Sequence, residues 1–243
     1  MRLVTERPVA IVTGSTGGIG RAIAEALDAR GYRLVVHGLG DAEAGERLAA
    51  GFADAVAVDS DLADPAGVEA LAAAAEAFGR LDVVVNNAGI GIPVDHRDLD
   101  AVSPEFFTRM LAVNLIAPWL VIQRCAPALR ATRGAVVNLS SVAGSTVSGS
   151  SIPYAVSKAG LEHLTRLLAV ALGPEVRVNA LAPGFVETER TSGWSSVRDA
   201  VRASAPLRRT GTTGDVARAC LALLDSPYTT GAVLPVDGGL GIA

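Results

Sequence analysis

An α/β domain built on a mostly parallel sheet is what this 243-residue sequence predicts, on three observations. Half of the residues are hydrophobic but only 4% are aromatic, so the interior has to be made of Ala, Val, Leu and Ile. Short Val-rich runs alternate with longer Ala-rich runs, the pattern of strands buried on both faces with helices between them. A glycine-rich loop follows the first Val-rich run directly and opens a helical pattern, as in a doubly wound sheet. The length suits one domain, and without an internal repeat or a low-complexity linker residues 1–243 read as one unit.

Composition narrows the function classes. The formal net charge is −4, from 21 basic and 25 acidic residues, and no basic tract stands out, which argues against nucleic acid as a partner. Cys125 and Cys220 are not at metal spacing, and His37, His96 and His163 are scattered singly, so no metal site is expected. Met1 leads into the first strand without the apolar region of a signal peptide, and no uninterrupted apolar run reaches membrane-spanning length. A cytoplasmic setting, with no membrane partner, fits two free buried thiols.

The first strand is expected at Val9–Val12, followed by Thr13-Gly-Ser-Thr-Gly-Gly-Ile-Gly20 and a helix over Arg21–Arg30. Glycine is needed there because a Cβ would keep a phosphate from the backbone N–H groups of a helix N-terminus. Leu34–His37 is the second strand; the residues after it, Gly38 and Leu39, lie where the adenosine ribose of a dinucleotide would arrive. Asp41 suits the cap of the next helix as well as it suits a ribose. Ala55–Val58 is the third strand, and Asp61 beyond it could face an adenine or belong to an ordinary polar loop. Asp64-Pro65 opens a helix to Phe78, and Leu81–Val85 is the fourth strand, ending in Asn86-Asn87-Ala88-Gly89. Ser103-Pro104 starts a long helix in which Pro118 removes one hydrogen bond and strands the carbonyl of Asn114. That carbonyl marks a binding site, or local bending satisfies it.

Ala135–Leu139 is the fifth strand and delivers Ser140 and Ser141. Ser151 and Pro153 then start a helix to Leu172, with Tyr154 and Lys158 one turn apart on the same face. A phenol beside an ammonium is a more acidic phenol, able to exchange a proton with an alcohol or a carbonyl. Taken alone, the pair reads more readily as an ordinary surface pair. Val176–Leu181 and Gly231–Val236 are the last two strands, for a total of seven. A polar, irregular stretch at about 188–206 with a short helical patch reads as a substrate lid, and Thr212 opens a capped helix to Leu224.

In this order and at these separations, the glycine loop at 13–20, Asn-Asn-Ala-Gly at 86–89, Asn114, Ser141, Tyr154-Ala-Val-Ser-Lys158, Asn179, Pro183-Gly184, Thr188 and the Asp237-Gly-Gly ending resemble the short-chain dehydrogenase/reductase family. The resemblance implies a single Rossmann-type domain. It also implies a catalytic set of Asn114, Ser141, Tyr154 and Lys158. Lys158 would lower the phenol's pKa and bind ribose, Ser141 would hold the substrate oxygen, and the Asn114 carbonyl would hold a water linking Lys158 to solvent. The cofactor would meet Gly14, Ser15, Thr16, Gly18, Ile19 and Gly20 at its pyrophosphate. Gly38, Leu39, Asp61 and Leu62 would lie at its adenosine end, and Asn87, Ala88 and Gly89 along its length. Pro183, Gly184, Val186 and Thr188 would meet the nicotinamide, with Tyr154 and Lys158 beside it.

The implied activity is NAD(P)-dependent interconversion of a secondary alcohol and a ketone. An NADPH-dependent 3-oxoacyl-thioester reductase is the alternative within enzymes, favoured if Arg208 and Arg209 stand at the site's mouth. A cofactor-binding regulator without turnover is the alternative outside them. Without a cation at Thr16, Gly38 or Leu39 to offset a 2′-phosphate, NAD is favoured over NADP. The expected pocket segments, Ile90–Val94, Ala143–Ile152 and the lid, show no obvious charged anchor, which suits a neutral substrate. The family also implies a homo-oligomer, dimer or tetramer.

Overall fold

The computed structural model describes residues 7–242. The stretch before Arg7, expected to carry no leader, lies outside the described residues. Seven strands form one sheet: β1 (Val9–Val12), β2 (Arg33–Gly38), β3 (Ala55–Asp59), β4 (Val83–Asn86), β5 (Ala135–Leu139), β6 (Arg177–Pro183) and β7 (Val233–Val236). Their order is β3-β2-β1-β4-β5-β6-β7, and every pairing is parallel. The chain winds outward in one direction from β1 to β3 and in the other from β4 to β7. The reversal between β1 and β4 opens a crevice beyond their carboxyl ends, the place where such sheets bind ligands.

Eight α-helices flank the sheet among the described residues: α1 (Gly18–Asp28), α2 (Ala42–Ala50), α3 (Pro65–Glu76), α4 (Pro104–Leu111), α5 (Ala117–Thr132), α6 (Ile152–Leu172), α7 (Ser195–Ser204) and α8 (Thr213–Leu224). Alternate residues of each strand serve opposite faces. Val9, Ile11, Val35, Val84, Val136 and Val178 pack with Leu71, Ile122, Leu129 and Leu168 of α3, α5 and α6. Ala10, Val12, Leu34, Val36, Val85 and Leu181 pack with Ile23, Leu27, Val216 and Cys220 of α1 and α8. These two cores explain why the strands read as continuous Val-rich runs rather than alternating ones.

Side-chain caps hold five of the helix starts. Asp41, Asp64, Ser103, Ser151 and Thr212 accept from backbone N–H groups of α2, α3, α4, α6 and α8. Asp41 is thus the cap of α2, one of its two open readings. At α1 the cap position is Gly17, which supplies no side chain.

The long helix expected from Ser103 is interrupted. Between α4 and α5 the residues Ala112–Ile116 form one π-helical turn, in which Ala117 N–H reaches the Ala112 carbonyl five residues back. Pro118, which has no N–H to give, follows directly in the first turn of α5, so the missing donor coincides with a change of helical pitch. Pro104–Thr132 as a whole is long and apolar enough to cross a membrane by length and composition. Here Val121, Ile122, Cys125 and Leu129 of that segment pack in the core. The lid is also more regular than expected. It holds a 3-10 turn at Glu189–Thr191 and the ten-residue α7, whose composition reads as polar because only Val201 is buried.

Candidate active site

The glycine loop leaves the end of β1 and is clamped from both sides. Gly14 and Gly18 have φ of +61° and +55°, the left-handed region that favours glycine. A Cβ on Gly20 would overlap the Gly14 carbonyl oxygen, so α1 can approach β1 this closely only with glycine there. Thr13 Oγ1 accepts from Asn87 N–H and Ala88 N–H, both at 2.9 Å, and Asn87 Nδ2 donates to the Thr13 and Gly14 carbonyls at 2.9 Å. The Asn-Asn-Ala-Gly segment after β4 is thereby fixed to the loop across the topological switch.

His37 clamps the other side. Its Nδ1 accepts from Gly14 N–H at 3.1 Å, which leaves Nε2 to donate to the Ser60 carbonyl at 2.9 Å. The first contact requires the neutral ring, and burial pushes the imidazole pKa below its ordinary value. Ser15 is fully buried and its hydroxyl is engaged with the His37 backbone. Sequence reading assigned His37 no role; its place in a strand facing the loop was the available signal.

Asn114 sits fully buried in the π-helical turn. Its Oδ1 accepts from Ile90 N–H at 2.8 Å, and its Nδ2 lies within donating distance of the Ile90 carbonyl (2.9 Å) and Ser157 Oγ (3.1 Å). The side chain therefore joins the segment after β4 to α6. The sequence pointed to the carbonyl of this residue; in the structure its amide group makes these links.

The amino-terminal turn of α6 presents the acid-base pair. Tyr154 and Ser141 line the same cleft, and Ser141 Oγ accepts from Ala143 N–H at 3.2 Å. Lys158 is 5% exposed; its Nζ donates to the Leu139 carbonyl at 2.7 Å and lies 5.7 Å from the Tyr154 ring centre. One turn further on, the buried Glu162 accepts from Ser140 Oγ at 3.1 Å, and burial raises its carboxyl pKa. The expected effect of the lysine on the phenol is overturned. Burial dominates and raises the Tyr154 pKa, while the Ser141 hydroxyl and the charge of Arg190 pull it down. Burial, with help from Arg190, also brings the Lys158 ammonium down to about 7, so it is a weak source of fixed charge.

These groups line a cleft of about 700 Å³ outside the strand ends. Of the residues proposed from sequence, Ile19, Asn87, Gly89, Ser141, Tyr154, Lys158, Pro183, Gly184, Val186 and Thr188 face it. The others lie behind or beyond it. Gly14, Gly18 and Gly20 shape the loop, and Ala88 packs on the core. Thr16 fills the space that a Cβ on Gly38 would need. Leu39 is 61% exposed, whereas Leu62 is buried in the core. Asp61 accepts from Ala63 N–H and is paired with Arg109 at 2.9 Å, which holds its carboxyl below the usual range.

Charge at the cleft resolves one open reading and overturns one expectation. Arg208 and Arg209 do not line the cleft: Arg209 pairs with Asp215 at 2.7 Å, and Arg208 donates to the Ala203 carbonyl. A charged group nevertheless stands in it, because Arg190 of the lid donates to the Gly89 carbonyl at 3.0 Å.

Comparison with known proteins agrees with this geometry. A family model described as enoyl-(acyl carrier protein) reductase matches residues 14–241. The chain is 48% identical over 239 residues to a protein of Streptomyces violaceoruber named as ketoacyl reductase 2 of the granaticin polyketide synthase, with 96% of each chain covered. It is 36% identical over 244 residues to the 3-oxoacyl-[acyl-carrier-protein] reductase of Chlamydia muridarum, covering 95% of this chain and 96% of that one. A crystal structure of 3-ketoacyl-(acyl-carrier-protein) reductase from Brucella melitensis complexed with NADH superposes with a TM-score of 0.90 at 31% identity, covering 98% and 99% of the two chains. The chain thus belongs to the short-chain dehydrogenase/reductase family of oxidoreductases.

Proposed function

We propose that this cleft reduces the ketone of a 3-oxoacyl thioester, or a ketone like it, to a secondary alcohol, and runs the reverse reaction when the alcohol is in excess. The observation that carries the reading is the convergence of Tyr154, Ser141 and Lys158 on one cleft beside an uncapped helix N-terminus. The substrate class is favoured by the relatives named as ketoacyl and 3-oxoacyl reductases.

The residues present fit a nicotinamide dinucleotide. Five helices are capped by side chains, but at α1 the cap is Gly17, around which a Cβ would find open space, so the first-turn N–H groups are left for an anion. Gly14, Ser15, Thr16, Gly18, Ile19 and Gly20 would seat the pyrophosphate. Asn87, Ala88, Gly89, Pro183, Gly184, Val186 and Thr188 would hold the nicotinamide half, and Gly38, Leu39, Asp61 and Leu62 the adenosine. NAD is favoured over NADP, because the exposed Leu39 and the buried Gly38 before it offer a 2′-phosphate no cation. A bound dinucleotide supplies the hydride. Tyr154 gives the proton to the ketone oxygen, which Ser141 holds by a hydrogen bond. Lys158 replenishes the tyrosine, for which a pKa of about 7 suits it at neutral pH.

A second copy of the chain would cover Ile116, Trp119, Leu167 and Val170, apolar side chains exposed on the α5–α6 side, as a dimer or tetramer. Cys125 and Cys220 are both buried and unpaired, as suits the cytoplasm. The test is a panel of ketones and 3-oxoacyl thioesters assayed with NADH and with NADPH. Tyr154→Phe is expected to lower turnover about 10²–10⁴-fold on every substrate that responds. Undiminished turnover in that variant would overturn the mechanism.

A further inference from the structure

Lys158 and Arg190 are the only cations among the residues that line the cleft. Lys158 is committed to the Leu139 carbonyl. Arg190 is exposed, and among the described residues it pairs with no carboxylate. The other lid arginines differ: Arg198 and Arg202 both pair with Glu187, at 3.5 and 3.2 Å. Arg190 instead crosses the cleft, from the 3-10 turn Glu189–Thr191 to the Gly89 carbonyl. A neutral carbonyl satisfies a guanidinium less well than an anion does.

The same turn begins at Thr188, whose methyl would touch a Cβ built on Gly18 at 3.4 Å. Arg190 is therefore anchored two residues from the amino-terminal end of α1. Among the described residues, that end has no unpaired cation of its own. The loop at 13–20 contains no Lys or Arg, and Arg21 is paired with Glu25 at 2.9 Å. Each phosphate of a pyrophosphate carries a negative charge, and backbone N–H groups alone offer it only partial ones.

Resting on the dinucleotide reading above, we propose that Arg190 is a ligand of the cofactor's pyrophosphate, exchanging the Gly89 carbonyl for a phosphate oxygen. The lid would then be tied to the cofactor by the residue that now ties it to the segment after β4. The role is one for arginine, since a guanidinium can span two phosphate oxygens and a lysine cannot.

Binding of NADH and of ADP-ribose, which has the pyrophosphate but no nicotinamide, is measured by fluorescence and by calorimetry for wild type, Arg190→Met and Arg190→Lys. Arg190→Met is expected to weaken both ligands about tenfold or more, with Arg190→Lys between, and to flatten the salt dependence of ADP-ribose binding. Unchanged thermal melting in Arg190→Met assigns the loss to the contact rather than to the fold. ADP-ribose binding within about twofold of wild type, with NADH weakened or not, would overturn the proposal. If the wild type binds neither NADH nor NADPH, the dinucleotide reading falls as well, so the two failures are distinguishable.

Discussion

The two ends of the cleft are built on different physical terms. At the end of β1, recognition is a matter of backbone shape: Gly14, Gly18 and Gly20 leave room, and Thr13, His37 and Asn87 hold the loop in place by hydrogen bonds. At the start of α6, function rests on side chains whose titration burial has moved, Tyr154 upward and Lys158 downward. The first region should fail through packing when it is altered. The second should lose chemistry and keep its stability.

Ser141→Ala separates the two regions most widely. Turnover is expected to fall about 10²–10³-fold, because a hydrogen bond to the reacting oxygen is lost, while the melting temperature stays put. A joint fall in rate and melting temperature would erase the distinction. Asn114→Ala leaves the Ile90 N–H and carbonyl without partners in a buried setting. It should cost about 2–4 kcal/mol in denaturant unfolding, and turnover should fall with it. Gly20→Ala forces a methyl against the Gly14 carbonyl and is expected to cost about 1–3 kcal/mol and to weaken dinucleotide binding.

Two pH experiments sharpen the same contrast. Between about 7, where folded Lys158 titrates, and 10.5, its ordinary value, the unfolded chain holds more protons at this site than the folded one. This group's contribution to stability therefore rises with pH across that window. Lys158→Met should show a smaller rise than wild type in paired unfolding measurements at pH 7 and pH 10. His37 follows the same sign at acid pH. Its folded pKa lies below 6.5, so its contribution is present above 6.5 and is lost as pH falls below that value. His37→Gln should flatten this acid-side loss, the smallest of the five effects, read in the same assay.

Much of the architecture was legible because it rests on local rules. Ser103-Pro104 and Ser151 with Pro153 announced α4 and α6, and Asp64-Pro65 announced α3, since caps and first-turn prolines act within one helical turn. The strand set and its parallel direction followed from Val-rich runs spaced by helices, whereas the strand order did not. Boundaries slipped by a few residues. α1 begins at Gly18 rather than Arg21, because glycine has poor intrinsic helix propensity but is tolerated where the close approach to β1 demands it. The π-helical turn was foreshadowed by Pro118, but its form was not, since a proline specifies a missing donor and not the pitch that absorbs it.

By itself the sequence determined which residues could do chemistry: a tyrosine and a lysine one turn apart, a serine at the end of β5, and a loop too rich in glycine to be an ordinary turn. Only the tertiary structure decided how they are tuned. Whether Lys158 lowers the phenol's pKa or is itself desolvated depends on how deeply α6 packs against β5, a distance that no spacing along the chain encodes. Whether Arg190 is a surface charge or reaches into the cleft depends on where the lid folds back, through contacts 101 residues apart in sequence. Electrostatic energies follow separation in space and local dielectric, and both are fixed only when the layers have closed.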